Sequence, residues 1–179
     1  MGAACCNVAK ESGETGHDVK IHNAEGNLDD GNFNNNAESG GKHAPSDSTS
    51  TYVPLEMTRI TEVKTSLHDS NAHVNQIEAK PEFRDLPTLG PYQNKSSNTL
   101  YHGQYKDGNK HGLGLLIWPD NNTYYGEFKN DMTNGKGMMA YQDKSVYFGD
   151  WVDDKAHGSG TFQDEDGVKY EGAWENDYR

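Results

Sequence analysis

The first residues that could do chemistry stand at the start of the chain, in MGAACCN. Removal of Met1 leaves Gly2 with an amine that can carry a myristoyl amide. The thiols of Cys5 and Cys6 can carry palmitoyl thioesters. A myristoylation signal ordinarily has Ser or Thr at the sixth position, where this chain has Cys6. One myristoyl chain binds a membrane only marginally, with an association constant on the order of 10⁴ M⁻¹, so stable anchoring requires a second anchor. Lys10 and Lys20 are isolated among acidic residues. That leaves acylation of the cysteines to complete the anchor. The plainer alternative is an unmodified start with two incidental thiols.

Other reactive residues lead to less. His111 and His157 lie near Asp107 and Asp153, a pairing that could serve acid–base chemistry. Asn134 occupies the equivalent position between them, so that position does not require imidazole. No Ser or Cys nucleophile stands in fixed register with a base, and an enzyme is not expected. Cys5 and Cys6 have no nearby ligand pair for a metal. Pairs such as Gly112 and Gly114 lack the strand-to-helix context and the following Lys-Ser/Thr of a phosphate loop. No cofactor is implied.

Composition sets the limits. The 179 residues are 32% hydrophobic, with a mean hydropathy of −1.01. So polar a chain cannot bury enough surface along its whole length to offset conformational entropy, and part of it is expected to be disordered. The net charge of −12 repels phosphates, so nucleic acid is not an expected partner. No apolar run approaches the roughly 18 residues of a membrane-spanning helix, and no secretory core follows Met1. Two adjacent cysteines make no disulfide framework. A cytosolic chain is expected.

The composition changes along the chain. Residues 1–7 form the acylation leader. Residues 8–52 carry few apolar side chains and no period, and read as a disordered tether. Over 53–80, Val53, Met57, Ile60, Val63 and Leu67 recur at steps of three and four, with a weaker continuation through Val74 and Ile77. That pattern predicts an amphipathic helix, either lying on the folded part or docking a partner. Pro81, Pro87, Pro91 and a Ser/Asn cluster make 81–99 read as a linker.

From residue 100 to 179 one pattern returns every 23 residues. Tyr101, Tyr124, Tyr147 and Tyr170 begin it. Gly103, Gly126, Gly149 and Gly172 follow, then Tyr105, Phe128, Trp151 and Trp174. Two further glycine columns are Gly112, Gly135, Gly158 and Gly114, Gly137, Gly160. A bulky column, Leu116, Met139 and Phe162, closes each unit. This is an internal repeat. Each unit reads as two strands. The first is Y-x-G-x-aromatic, then a turn such as 107–109, then G-x-G-x-bulky, then a second turn such as 119–122. Successive hairpins predict one long, single-layer antiparallel sheet, an all-β solenoid in which each unit contacts mainly its neighbours. Glycine weakens a strand. Its place between two rings predicts that a ring or bulky side chain from the neighbouring strand lies across bare backbone, recovering the loss by aromatic packing. The second-strand glycines should serve similarly or permit strong coiling.

The pattern Y-x-G-x-aromatic followed by G-x-G resembles the MORN (membrane occupation and recognition nexus) repeat over 101–179, as three full units and the start of a fourth. Asn121 and Lys144 depart from the turn glycine that Gly167 keeps. The last unit lacks its second strand, which leaves a free edge after Trp174 that invites pairing, or marks a piece of a longer protein. The resemblance implies a scaffold or adaptor that binds a protein partner or a second copy. MORN arrays also occur in ciliary spoke components, junctional membrane proteins, cell-cortex scaffolds and beside phosphoinositide kinase domains. A ciliary or cytoskeletal structural component and a regulatory part of a lipid-kinase system are therefore the alternatives.

For lipid headgroups the candidates are Lys106, Lys110, Lys129, Lys136 and Lys155. Acidic residues outnumber them over the same span, so direct phosphoinositide binding is expected to be weak or absent. An exposed aromatic face binding a helix or peptide is the expected surface. The expected location is the cytoplasmic face of a plasma or ciliary membrane, otherwise cytoplasm or cytoskeleton.

Overall fold

The structure is a computed structural model that describes residues 50–53, 56–70, 74–77 and 80–179. Gly2, Cys5, Cys6 and all of the tether up to residue 49 lie outside the described residues.

Among the described residues, nine strands form one antiparallel sheet in strict chain order. They are β1 (Ser50–Tyr52), β2 (Thr88–Asn94), β3 (Leu100–Lys106), β4 (Asn109–Ile117), β5 (Thr123–Lys129), β6 (Met132–Ala140), β7 (Val146–Val152), β8 (Lys155–Gln163) and β9 (Lys169–Trp174). The repeats thus give the expected all-β, single-layer architecture. Each unit is one hairpin: β3–β4, β5–β6 and β7–β8, with β9 opening the fourth.

The turns follow from local chemistry. Within each hairpin two consecutive residues have positive φ, as at Asp107 (51°) and Gly108 (83°), or Asp153 (46°) and Asp154 (65°). That is the primed turn whose twist matches paired strands. Between hairpins the turn 118–122 closes with the Trp118 N–H donating to Asn122 O at 2.9 Å. Its left-handed position is Asn121 (φ 66°), matched by Lys144 (73°) and Gly167 (85°). Asn tolerates this region; Lys does so at a cost.

The sheet begins earlier than the repeats. Residues 81–99, expected as a linker, contain β2, which pairs with both β1 and β3. The Gly90-Pro91 pair looks like a breaker in sequence. It instead occupies a register shift between Leu89 and Tyr92, where a missing N–H leaves no ladder bond unmade. Gly90 has φ 96° there. Residues 50–52, assigned to the tether by composition, form the edge strand β1. The predicted helix is α1 (Met57–Ser70), and Val53 lies before it. A 3₁₀ turn, Val74–Gln76, follows.

Strand alternation gives the sheet two unlike faces. One carries the rings, with Leu116, Met139 and Phe162 among them. On the other, Leu100, Leu115, Ile117 and Met138 pack against Ile60, Leu67, Val74 and Ile77. The helix therefore lies on the folded part. Among the described residues, no helix is long and apolar enough to cross a membrane.

Candidate functional site

The rings form one continuous ladder. Tyr101 meets Tyr105 at 5.2 Å and Phe128 of the next unit at 5.1 Å, both edge to face. Tyr124 meets Phe128 and Trp151, and Tyr147 meets Trp151 and Trp174, at 5.1–5.3 Å. Tyr170 meets Trp174 at 5.4 Å. Past Tyr170 the ladder ends on a cation, the Arg179 guanidinium 5.2 Å from the ring centre. At the other end it continues beyond the repeats through Tyr92 to Tyr52. Such pairs are worth about 0.5–1.5 kcal/mol each beyond simple burial.

The glycines are what let the rings lie flat. Gly103 pairs with Gly114, Gly126 with Gly137, Gly149 with Gly160, and Gly160 with Gly172. The tyrosine ring sits directly over each pair: a Cβ on Gly126 would stand 2.6 Å from Tyr124 Oη and 2.5 Å from Gly137 Cα. For Gly103, Gly126, Gly149 and Gly172 the covering ring belongs to the glycine's own strand, two residues earlier, whereas Gly114, Gly137 and Gly160 are covered by that same ring from the neighbouring strand, as the spacing suggested. A phenol is long enough to reach along its strand to the next backbone carbonyls. Tyr101 Oη donates to Gln104 O at 3.0 Å, Tyr124 Oη to Glu127 O and Tyr147 Oη to Asp150 O at the same distance, and Tyr170 Oη to Ala173 O at 3.1 Å. Trp151 Nε1 donates to Gly137 O, and Trp174 Nε1 to Gly160 O. Burial first, then nearby acids and phenols, pushes the Tyr101 and Tyr124 phenols well above their usual range.

This ladder overturns one expectation. The ring face is not an exposed aromatic surface: Tyr124 and Tyr147 are 0% and Trp151 1% exposed. Neighbouring rings bury one another, so that face is core.

The other glycine column has a different job. In each hairpin the register shifts beside Gly112, Gly135 and Gly158, which have φ of 76°, 103° and 70°. One side chain fills each bulge by accepting a backbone N–H. Gln104 accepts from Leu113 (2.7 Å), Glu127 from Lys136 (3.0 Å) and Asp150 from Ser159 (3.0 Å). The other end of each reaches outward: Gln104 Nε2 donates to Phe83 O, Glu127 pairs with Lys80 at 2.6 Å, and Asp150 with Lys136 at 2.7 Å. The fourth unit has Ala173 in this column.

A second set of acids stitches hairpin to hairpin. Asp131 Oδ1 accepts the Lys110 N–H at 2.8 Å, while its own N–H donates to Lys110 O at 3.0 Å. Asp154 does the same with Thr133, and Asp177 with Ala156. Burial raises the Asp154 carboxyl, against the opposing effect of its hydrogen bonds to Thr133. Neither acceptor column was picked out by sequence reasoning. Both recur at 23 residues, and that period was the available signal.

His111 keeps Nδ1 buried and its ring edge-on to Phe83 at 5.7 Å; burial and the Lys106 charge lower its pKa. His157 is on β8, and the two imidazoles do not converge with a nucleophile. Among the described residues no cluster of His, Cys, Asp and Glu could hold a metal. A shallow groove of about 250 Å³ lies on the second face between Lys136, Phe148, Ser159, Thr161 and Glu171.

A single sheet with a tyrosine-over-glycine ladder at a 23-residue period defines a solenoid repeat protein. Residues 101–123, 124–146 and 147–169 each match the family model of the MORN repeat. The chain thus carries three consecutive MORN repeats, and β9 begins a further partial unit that the match does not include. Among curated proteins, none matches the chain. MORN repeats are typically non-catalytic, and they point to a protein that interacts with proteins or membranes.

Proposed function

We propose that this chain is a non-enzymatic scaffold, tethered to a membrane by acyl chains on Gly2, Cys5 and Cys6, whose MORN sheet holds a protein partner. One observation carries the scaffold reading. In every repeat the recurring polar side chains are already committed to structure. The ladder phenols hold backbone carbonyls, the bulge acceptors and the stitching aspartates hold backbone amides, and the Trp151 and Trp174 indoles bond across strands. What remains is a rigid platform. The tethering rests on the Gly2-Cys5-Cys6 leader and on the two-anchor requirement for stable membrane association.

The test is metabolic labelling of the full chain with alkyne-tagged myristate and palmitate, followed by fractionation. Wild type should take up both labels and sediment with membranes. Gly2→Ala should lose myristate and move to the soluble fraction, and Cys5→Ser with Cys6→Ser should lose palmitate. Absence of label together with unchanged fractionation refutes the anchor.

A further inference from the structure

The second face of the sheet changes along the array. In the first repeat it presents Leu113, Leu115 and Ile117 from β4. At the equivalent positions the second repeat has Lys136, Met138 and Ala140, and the third Ser159, Thr161 and Gln163. The apolar part is the part that α1 covers, together with Val74 and Ile77 beyond it. Leu115 is 0% and Ile117 1% exposed, against Ile60 at 1% and Leu67 at 8%. Where the apolar columns stop, Ser159 and Glu171 face solvent. The face under α1 thus demands an apolar cover, while the rest does not.

The cover itself is a poor helix. Five of the 14 residues of α1 are β-branched: Thr58, Ile60, Thr61, Val63 and Thr65. Such residues lose side-chain freedom in a helix. Thr61 and Thr65 turn their hydroxyls back to the carbonyls of Met57 and Thr61, at 2.9 Å each, a habit that weakens helices. The first turn has no acid, and 14 residues are marginal in isolation. Two well-buried side chains, Ile60 and Leu67, fasten it, helped by Arg59 on Asn121 at 3.1 Å and by His68 edge-on to Tyr125 at 6.4 Å. The interface also includes the half-buried Lys64, whose charge acts on His102 of β3. By contrast, the sheet is complete without α1, since its strands pair with one another and its rings pack on the opposite face.

We propose that α1 is a displaceable intramolecular ligand, and that the face it covers is a docking site for an amphipathic helix of another protein with apolar residues at the spacing of Ile60, Val63 and Leu67. The occupant already seated there defines the chemistry. Because the native helix is tethered beside its site, it acts at high effective concentration. An incoming helix must outcompete it, and anything that weakens α1 raises the apparent affinity for the partner. This inference rests on the scaffold reading for its partner, but not on the membrane anchor.

The experiment uses the full chain and a fluorescein-labelled synthetic peptide of residues 56–70 as probe. In the double variant Ile60→Asp, Leu67→Asp the cover is undocked, and fluorescence anisotropy should show the probe bound at least 10-fold more tightly than by wild type. A probe carrying the same two substitutions should not bind. Near-ultraviolet circular dichroism of the double variant should keep the ring-ladder signal. Three results would overturn the proposal: no gain in affinity with the ladder intact, a double variant that has lost the ladder, which makes α1 a required part of the fold, or a wild-type chain that sediments as a dimer dissociated by the probe, which makes a second copy the occupant. A failure of membrane tethering appears in the Gly2→Ala fractionation and leaves these readouts unchanged.

Discussion

Gly126→Ala adds one methyl group to a strand, and strand propensity alone favours it. The geometry says otherwise. The new Cβ would lie 2.5 Å from Gly137 Cα, 2.6 Å from Tyr124 Oη and 2.7 Å from Lys136 O. Two of these are backbone atoms of the paired strand, so the ring must lift. A lifted Tyr124 loses its edge-to-face pairs with Phe128 and Trp151, about 0.5–1.5 kcal/mol each. It also loses its hydrogen bond to Glu127 O, about 1 kcal/mol. Together that is roughly 2–4 kcal/mol. Alanine returns about 0.5–1 kcal/mol through the unfolded state, leaving a net loss of about 1–3.5 kcal/mol. Gly167→Ala is the control. The atom nearest its added Cβ is Gln163 Nε2 at 4.0 Å, and only its φ of 85° opposes a side chain, at about 1 kcal/mol. Urea unfolding of the full chain, followed by near-ultraviolet dichroism and tryptophan fluorescence, compares the two; coincident transitions are required because repeat arrays can unfold in parts. If Gly126→Ala is as stable as wild type, or costs no more than Gly167→Ala, the ring does not depend on bare backbone and the packing argument fails.

Three further outcomes follow from the same geometry. Lys144 holds φ 73° in the column where Gly167 stands, so Lys144→Gly should raise stability by about 1 kcal/mol in the same urea titration; a loss would mean that the Lys side chain makes a contribution larger than the strain. Asp131→Ala removes the acceptor for the Lys110 amide and should cost about 1–2 kcal/mol and speed exchange of that amide, whereas Asp131→Asn should keep most of both; equal effects of the two would remove the stitching role. Tyr101 and Tyr124 hold their protons to higher pH when folded than when unfolded. Below about pH 10, the unfolded value, their contribution is whole; above it the unfolded chain binds fewer protons, and stability should fall by about 1.4 kcal/mol per pH unit for each phenol, about 2.7 for the two. The tyrosinate absorbance of these two phenols, isolated by difference against Tyr101→Phe and Tyr124→Phe, should rise with loss of the ring dichroism, and a rise of that difference before the loss would show them open to solvent.

The sequence displayed the repeat because every unit meets the same environment, so the same residue types recur in register. It displayed the apolar steps of α1 for the ordinary reason that one helical face is buried. It hid which strand supplies each covering ring. Tyr101 and Gly103 share a face by alternation, but only the direction of the side chain decides whether the phenol folds along its own strand or across to the next. It hid β2 because glycine followed by proline reads as a break unless a bulge is present to absorb it. The acceptor column Gln104, Glu127, Asp150 was obscured by chemical variety: three residue types perform one task, and the fourth unit has Ala173 at that position. The acylation leader was legible only as a chemical possibility of its residue types, since it lies outside the described residues.

The two faces of this sheet carry different kinds of information. Columns on the ring face must keep their chemical type in every unit, Tyr at one and an aromatic residue at the next, because a Tyr in one unit packs on an aromatic residue of the next and losing a ring breaks the ladder on both sides. Columns on the second face are under no such coupling. His102, Tyr125, Phe148 and Glu171 occupy one of them; Leu113, Lys136 and Ser159 occupy another. Nothing in the hairpin requires these to agree, and they do not. A repeat protein can distinguish partners only through what differs between its units, since identical units offer a second molecule identical registers. The side chains that differ between units thus lie on the face that α1 partly covers, while the ring face, though far richer in aromatic surface, is already used as core.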